Sequence, residues 1–530
     1  MKTVILLVLL ISILTASLSF AQPGTLDSTF GKDGKVFTSI SGFYDGANAV
    51  AIQKNGKILA AGFSQDSAGK SAFAIVRYLT HGKVDPSFGN NGVVTTYFHN
   101  KSSVANAVAI QNDGKIIVAG YSVYSKKTEY NSVFSIARYM RDGSLDYSFG
   151  KKGKVITDID SNDDRANAIA IQPDGKIIVA GYTYNYNNGS YPVDIAVVRY
   201  QSNGTPDSSF GINGKVITDF LGYEGFHNSD YANTIAVLPN GKIIVGGHSD
   251  PMYGPMSFIL VRYKSNGTID SSFGKDGSTF NSFGETSVGK SLAVLSNGKI
   301  LLGGYTFTIA PGFTLIQYKK DGTLDSSFGN NGVALPSYYS GYGKSIAVQQ
   351  NGKIIMAGFL KFNNDQQQLE LMRFNPHGVL DSSFGTNGIV FSDVESKYDY
   401  YGGGPAPAVA LQPDGKIVVA GNGKNKFAVV RYNGDPVKHR PSDDILSKQI
   451  LTNTSSPYVS PNPVKDILHI QHLSSSTKTI LILDLKGKAL QQAVTANNNF
   501  SFKVSQLSAG MYFVKIDDRR KTTMLKFVKE

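Results

Sequence analysis

The chain has 530 residues, no cysteine, no tryptophan and a formal charge of +12. Without cysteine there is no disulfide framework, thiol nucleophile or thiolate metal site, so stability must come from packing. Half of the charge excess lies in residues 433–530, with fourteen Lys or Arg against eight Asp or Glu, and the longest basic cluster, Arg519, Arg520 and Lys521, adjoins Asp517 and Asp518. That is a mixed solvated turn, and no nucleic-acid partner is expected.

Residues 1–21 read as a secretory signal: Lys2 precedes the apolar run VILLVLLISIL, and Ser19 and Ala21 place small residues before a cut at Gln22. The run is short for a membrane span and no other segment approaches about 18 apolar residues, so no transmembrane segment is expected.

Residues 22–433 are built from a repeat in three parts. The string D-x-S-F-G or a near copy recurs with its aspartate at Asp27, Asp85, Asp146, Asp207, Asp270, Asp325 and Asp381. A hairpin string typified by ANAIAIQPDGKIIVAG has its turn glycine at Gly56, Gly114, Gly175, Gly241, Gly298, Gly352 and Gly415. A third string, typified by FAIVRY, ends at Tyr78, Tyr139, Tyr200, Tyr263, Tyr318, Phe374 and Tyr432. Pro173-Asp174-Gly175 is tight-turn chemistry between two β-rich runs; FAIVRY and GKVITD supply two more strands, and no stretch carries a sustained 3.6-residue apolar period.

Four strands per unit, at a spacing of 54 to 66 residues, predict an all-β, seven-bladed β-propeller. The chain starts with the D-x-S-F-G part and stops after FAVVRY, so residues 34–39 are expected to supply the outer strand of the last blade and close the ring. Residues 434–457 form a polar linker with Pro436 and Pro441, and residues 458–530 a small β-sandwich.

SFGxxGkV, AIQPDGKIIVAG and FAIVRY together resemble the delta-60 family of bacterial propeller repeats, a resemblance that implies a β-propeller and no established activity. SPNPVKDILHI (460–470), ILDLKGKAL (482–490), VSQLSAGMYFVKI (504–516) and MLKFVKE (524–530) resemble the type A sorting domain of type IX secretion. That resemblance implies a partner in the type IX secretion machinery, an Ig-like tail that is cleaved, and a secreted or outer-surface location.

Several stretches invite a chemical reading. GETSVGKSL (284–292) fits the phosphate-loop pattern at Gly284, Gly289, Lys290 and Ser291, but in the repeat register Lys290 stands where Asn167 stands, and a short strand follows instead of a helix. Gly343-Lys344-Ser345 occupies the same register in the next unit. Asp158, Asp160, Asn162 and Asp164 alternate like calcium ligands, yet Asp163 holds the place of the turn glycine and Ile169 that of the final glutamate; a solvated acidic loop is the better reading, and neither a metal nor another cofactor is expected. His469 and His472, three apart on a strand, face opposite ways. No catalytic constellation can be assembled from spacing.

An arginine recurs in the apolar third strand at Arg77, Arg138, Arg199, Arg262, Arg373 and Arg431, with Gln317 as the exception. A buried guanidinium needs a carboxylate, and the expected structural partners are Asp85, Asp146, Asp207, Asp270, Asp381 and, across the closure, Asp27. A ring of positive charge for an anion is the competing reading.

Loop variation falls on one rim, where Tyr184, Tyr186, Tyr191, Tyr223, Phe226, Tyr231, Tyr338, Tyr339, Tyr342, Tyr398, Tyr400 and Tyr401 form a candidate ligand-binding surface. The expectation is a monomeric, non-enzymatic binding or adhesion propeller for a glycan or protein. The alternative is an extracellular carbohydrate-active enzyme with its site at the propeller axis.

Overall fold

The computed structural model describes residues 21–98, 101–126, 129–160, 163–185, 192–220, 227–307, 311–336, 341–361, 366–397, 407–435, 458–460, 464–471, 473, 477–485, 487–518 and 522–530. The signal region and most of the linker lie outside them. The chain divides into two compact units between Val437 and Lys438. No helix among the described residues is long and apolar enough to cross a membrane.

The first unit holds seven antiparallel sheets of four strands each. Their first strands are Tyr44–Ile52, Ser103–Ile110, Asp164–Ile171, Ser229–Val237, Thr286–Val294, Tyr342–Val348 and Ala408–Leu411, which define blades 1 to 7. These strands contact one another in sequence and the seventh contacts the first, so they line a common axis. In blade 3 the remaining strands, moving outward, are Ile177–Tyr184, Val193–Tyr200 and Lys215–Thr218. The seventh sheet is completed by Lys35–Thr38, which pairs antiparallel with Lys426–Tyr432, Lys35 opposite Val430 and Thr38 opposite Phe427. The N-terminal strand therefore closes a seven-bladed propeller.

The core lies between blades. Hydrophobic clusters join each blade to its neighbour, including one in which Val418, Ala420, Phe427 and Val429 of blade 7 pack against Ala47, Ile58, Ala60 and Val76 of blade 1. This is why the strands are apolar on both faces, each fully buried Ile, Val or Phe contributing about 1.5–3 kcal/mol. The terminal tyrosine of the third strand ties blades together as well: Tyr139 Oη donates to Thr96 Oγ1 of the preceding blade at 2.8 Å.

The second unit comprises a three-stranded sheet (Tyr458–Ser460, Ile467–Gln471, Phe500–Lys503) and a four-stranded one (Ala489–Thr495, Lys478–Leu483, Gly510–Asp517, Thr522–Lys529). They share a core that includes Leu468, Ile470, Phe502, Ile480, Ile482, Val514 and Phe527. His469 Nδ1 lies 2.8 Å from Ser501 Oγ, and His472 is outside the described residues.

Candidate functional site: two rims and an axial cavity

The hairpin and D-x-S-F-G parts meet on one rim. Arg199 Nε lies 2.8 Å from Asp207 Oδ2, and Lys176 Nζ, from the turn of the hairpin, lies 3.1 Å from the same oxygen. Ser209 donates to Asp207 Oδ1 at 2.8 Å, and the Phe210 ring lies under the guanidinium at 4.6 Å. Arg199 also donates to the backbone carbonyl of Ser265 in the next blade. Gly211 N donates to Asn266 O of that blade at 2.9 Å. The glycine is needed: its φ is 53°, and a Cβ there would lie 2.1 Å from Lys215 O.

The same arrangement holds Arg77 to Asp85 at 2.7 Å, Arg138 to Asp146 at 2.8 Å and Arg262 to Asp270 at 2.6 Å. Arg373 and Asp381, and Arg431 and Asp27, are also 2.8 Å apart, although in these two the N–H does not point along the line to the oxygen, leaving an ion pair without a hydrogen bond. Arg431 donates to Thr80 O and so spans the ring closure. In blade 5, where Gln317 replaces arginine, Asp325 pairs with Lys299 alone at 2.5 Å. Asp435 fills the blade 6 site, accepting from Arg373 at 2.7 Å and lying 3.1 Å from Lys353, so the first residues of the expected linker belong to the propeller. The arginines are buried, carboxylate-neutralised cross-links between blades. The repeated lysine was visible in every GK of the hairpin but its partner was not.

The opposite rim, which carries the variable loops, surrounds an axial cavity of about 960 Å³. Its wall is set by a β-bulge in each of the first six inner strands, which leaves one residue out of the ladder. The bulged residues are Asn48, Asn106, Asn167, Asn233, Lys290 and Lys344, and all six line the cavity. Each asparagine donates through Nδ2 to a carbonyl of the next inner strand: to Ala105, Ala166 and Ala232 at 2.9 Å and to Gly289 at 2.8 Å. The phosphate-loop pattern is thus a stretch of inner strand, Thr286–Val294, with its lysine turned to the axis.

Above the bulges stands an aromatic collar. Phe63, Tyr121, Tyr182, His248, Tyr305 and Phe359 occupy one register of the second strands, with Asn422 in blade 7. Tyr231 stacks on His248 at 4.6 Å and meets Tyr182 edge-on at 5.0 Å; Tyr342 stacks on Phe359 at 5.2 Å and meets Tyr305 at 5.0 Å. Tyr184 lies 6.0 Å from Tyr182. Of the aromatic residues expected on the rim, Tyr184, Tyr231 and Tyr342 join this collar, while Tyr186, Tyr191, Tyr223, Phe226, Tyr338, Tyr339, Tyr398, Tyr400 and Tyr401 lie outside the described residues. The collar escaped sequence reasoning although its signal was present: an aromatic or His follows the A-G or G-G of the hairpin in six of seven units.

The electrostatics of the cavity are one-sided. Its described lining includes Arg165, Lys290 and Lys344 and no Asp or Glu. The guanidinium of Arg165 lies 4.8 Å from the Tyr121 ring centre, and its Nε has no hydrogen-bond partner. Burial, and then the charge of Lys344, lower Lys290 to about 7; burial lowers Lys344 to about 8. Both lysines are half-buried and open onto the cavity. Burial, with both lysines adding to it, holds His248 well below the usual histidine range and therefore neutral.

The alternating acids of blade 3 do not face one way: Asp158 and Asp160 are exposed, whereas Asp164 is fully buried and accepts from Ile159 N at 2.7 Å. Asn162 lies outside the described residues, and no cluster of metal-ligating residues occurs among those described. Asp230 in blade 4 repeats the role of Asp164, accepting from Phe220 N at 3.1 Å.

Comparison with known proteins places this geometry. Segments 53–88, 111–149, 172–210, 238–273, 295–328, 349–384 and 412–435 match a domain of unknown function (DUF5122) beta-propeller, and 458–530 match a secretion system C-terminal sorting domain. Nothing among the curated proteins matches the chain. Solved structures similar to it include a protein of unknown function from Dyadobacter fermentans (12% identity, 76% of this chain and 98% of that one, TM-score 0.38) and an ulvan lyase of polysaccharide lyase family PL25 (11%, 77% and 98%, TM-score 0.42). Similarity at that level says nothing about activity. The sorting domain marks proteins exported by type IX secretion to the cell surface or the extracellular space. The chain thus carries a seven-repeat DUF5122 β-propeller region, for which delta-60 is a close equivalent name, and a C-terminal type IX secretion sorting domain.

Proposed function

We propose that the exported propeller is a non-enzymatic binding module that takes a glycan into the axial cavity through the variable rim. The observation that carries this reading is the aromatic register of the second strands, of which Phe63, Tyr121 and Tyr182 line a cavity walled by asparagine amides. Aromatic faces stack on the apolar faces of sugar rings, while amides and phenols satisfy hydroxyls. Burial pushes Tyr182 and Tyr231 up to about 12, so both phenols stay neutral hydrogen-bonding groups. Hydrolysis of a glycosidic bond normally uses two carboxyl groups flanking it, and the described lining has none, which favours binding over glycosidase chemistry.

The test is calorimetry of the full chain against a panel of oligosaccharides, with the same mixtures analysed for cleavage products. Saturable binding without products is expected. Tyr182→Ala and Tyr121→Ala should each weaken it by about 3- to 10-fold with the fold retained by circular dichroism. Accumulating products would replace the reading with the carbohydrate-active enzyme.

A further inference from the structure

The bulge register poses a physical problem. In blades 1 to 4 an asparagine there staples its inner strand to the next one, which is good for the scaffold. In blades 5 and 6 the same position holds Lys290 and Lys344, which make no such bond. Stapling is taken over by hydroxyls one residue further on: Ser291 Oγ accepts from Ile346 N, and Ser345 Oγ from Val409 N, both at 3.1 Å. The two lysines are thereby released from scaffold duty and left in the cavity.

Their position costs stability. Each ammonium is desolvated, the two repel one another, and among the described residues neither has an ion-pair partner. The groups facing them relieve this only in part. Neutral His248 supplies no counter-charge and Asn233 is committed to Gly289 O, while the Tyr305 and Phe359 rings, 5.9 Å and 5.5 Å from Lys344, attract that ammonium without neutralising it. Across the cavity Arg165 adds a third cation whose Nε is also without a partner. A local arrangement that the scaffold does not need, and that works against it, marks a place prepared for something else.

From the paired lysines, the Arg165 guanidinium with its Nε outside any hydrogen bond, and the absence of carboxylate from the described lining, we infer that the axial cavity is an anion seat and that its ligand is an acidic saccharide, bearing a carboxylate or sulfate group held between Lys290 and Lys344. This rests on the glycan reading above and narrows it. Phe63, Tyr121 and Tyr182 grip the sugar ring and the lysines select its charge. Inside the cavity, charge-assisted hydrogen bonds to an oxyanion are stronger than on an exposed surface. Occupation by an anion also favours the ammonium form of both lysines.

The experiment uses the full chain and four probes: a uronate oligosaccharide, a sulfated oligosaccharide, a neutral oligosaccharide and inorganic sulfate. An acidic oligosaccharide should bind at least about tenfold more tightly than the neutral one, and more weakly as salt rises. The double substitution Lys290→Asn, Lys344→Asn, which installs the residue of blades 1 to 4, should lower that affinity at least tenfold while leaving the melting temperature unchanged or higher. Acidic binding that survives the double substitution, or neutral and acidic sugars bound alike, would overturn the inference and leave the glycan reading standing. Lysine-dependent binding of sulfate with no oligosaccharide bound would uphold the anion seat and remove the saccharide. If no probe bound, both would fall.

Discussion

The two rims of the propeller are made by the same strands and obey opposite rules. On the hairpin rim the buried charges are matched: the arginine, the hairpin lysine and the D-x-S-F-G aspartate recur as a closed unit that crosses to the next blade. On the loop rim charges are left over. Lys290, Lys344 and Arg165 line a cavity whose described lining holds no carboxylate, while Asp164 and Asp230 are buried against backbone amides with no ion-pair partner among the described residues. One rim repeats because each blade must be joined to its neighbour. The other differs from blade to blade because nothing in the joining requires it to be uniform.

The largest test of this contrast removes the last link of the joined rim. A chain starting after Thr38 loses Asp27 and the outer strand of blade 7, leaving Arg431 unpaired and Lys426–Tyr432 as an open edge. We expect loss of the cooperative melting transition and aggregation on size exclusion. A monomer with native circular dichroism would show the closure to be dispensable.

Next in size, Asp207→Ala strands a buried guanidinium and should cost about 3–5 kcal/mol in denaturant unfolding. Asp325→Ala is the internal control, because there the Ser327 hydroxyl and amide and Lys299, a third exposed, lose their partner but no arginine does; about 1–2 kcal/mol is expected. Equal losses at the two sites would mean that the arginine adds nothing.

The smallest effect separates the rims by pH. For the paired aspartates burial is the first influence and raises the pKa, but hydroxyl, lysine, backbone and arginine partners outweigh it, bringing Asp207 and Asp381 to about 2. Their folded value is depressed, so their stabilisation is present above about pH 4 and lost as pH falls towards 2. Asp164 and Asp230 run the other way: burial, the largest influence, raises both to about 7, and their cost builds as pH climbs from about 4 to 7. Asp164→Asn with Asp230→Asn should leave the melting temperature unchanged at pH 4 and raise it at pH 8, a gain on the order of 2 kcal/mol per carboxylate. A gain independent of pH would refute the raised values.

Much of the architecture was legible from the chain. The repeat count, the four strands of each unit, the ring closure through residues 34–39 and the sorting tail all follow from patterns that recur with fixed chemistry, since a scaffold contact must be encoded again in every blade. The pairing of Arg199 with Asp207 was legible for the same reason, being eight residues apart in a unit that repeats. The third member, Lys176, was not, because its approach to Asp207 depends on how the hairpin turn folds over the outer connection.

What the sequence alone determined about this protein is its periodic part: local strand and turn chemistry, repeated until only one closed ring could bury it. Only the tertiary structure decided that Asn48, Asn106, Asn167, Asn233, Lys290 and Lys344 share one axial wall with Phe63, Tyr121 and Tyr182. Those residues lie in different blades tens to hundreds of positions apart, and a one-residue bulge turns each towards the axis, so their meeting is a consequence of ring closure that no local pattern records.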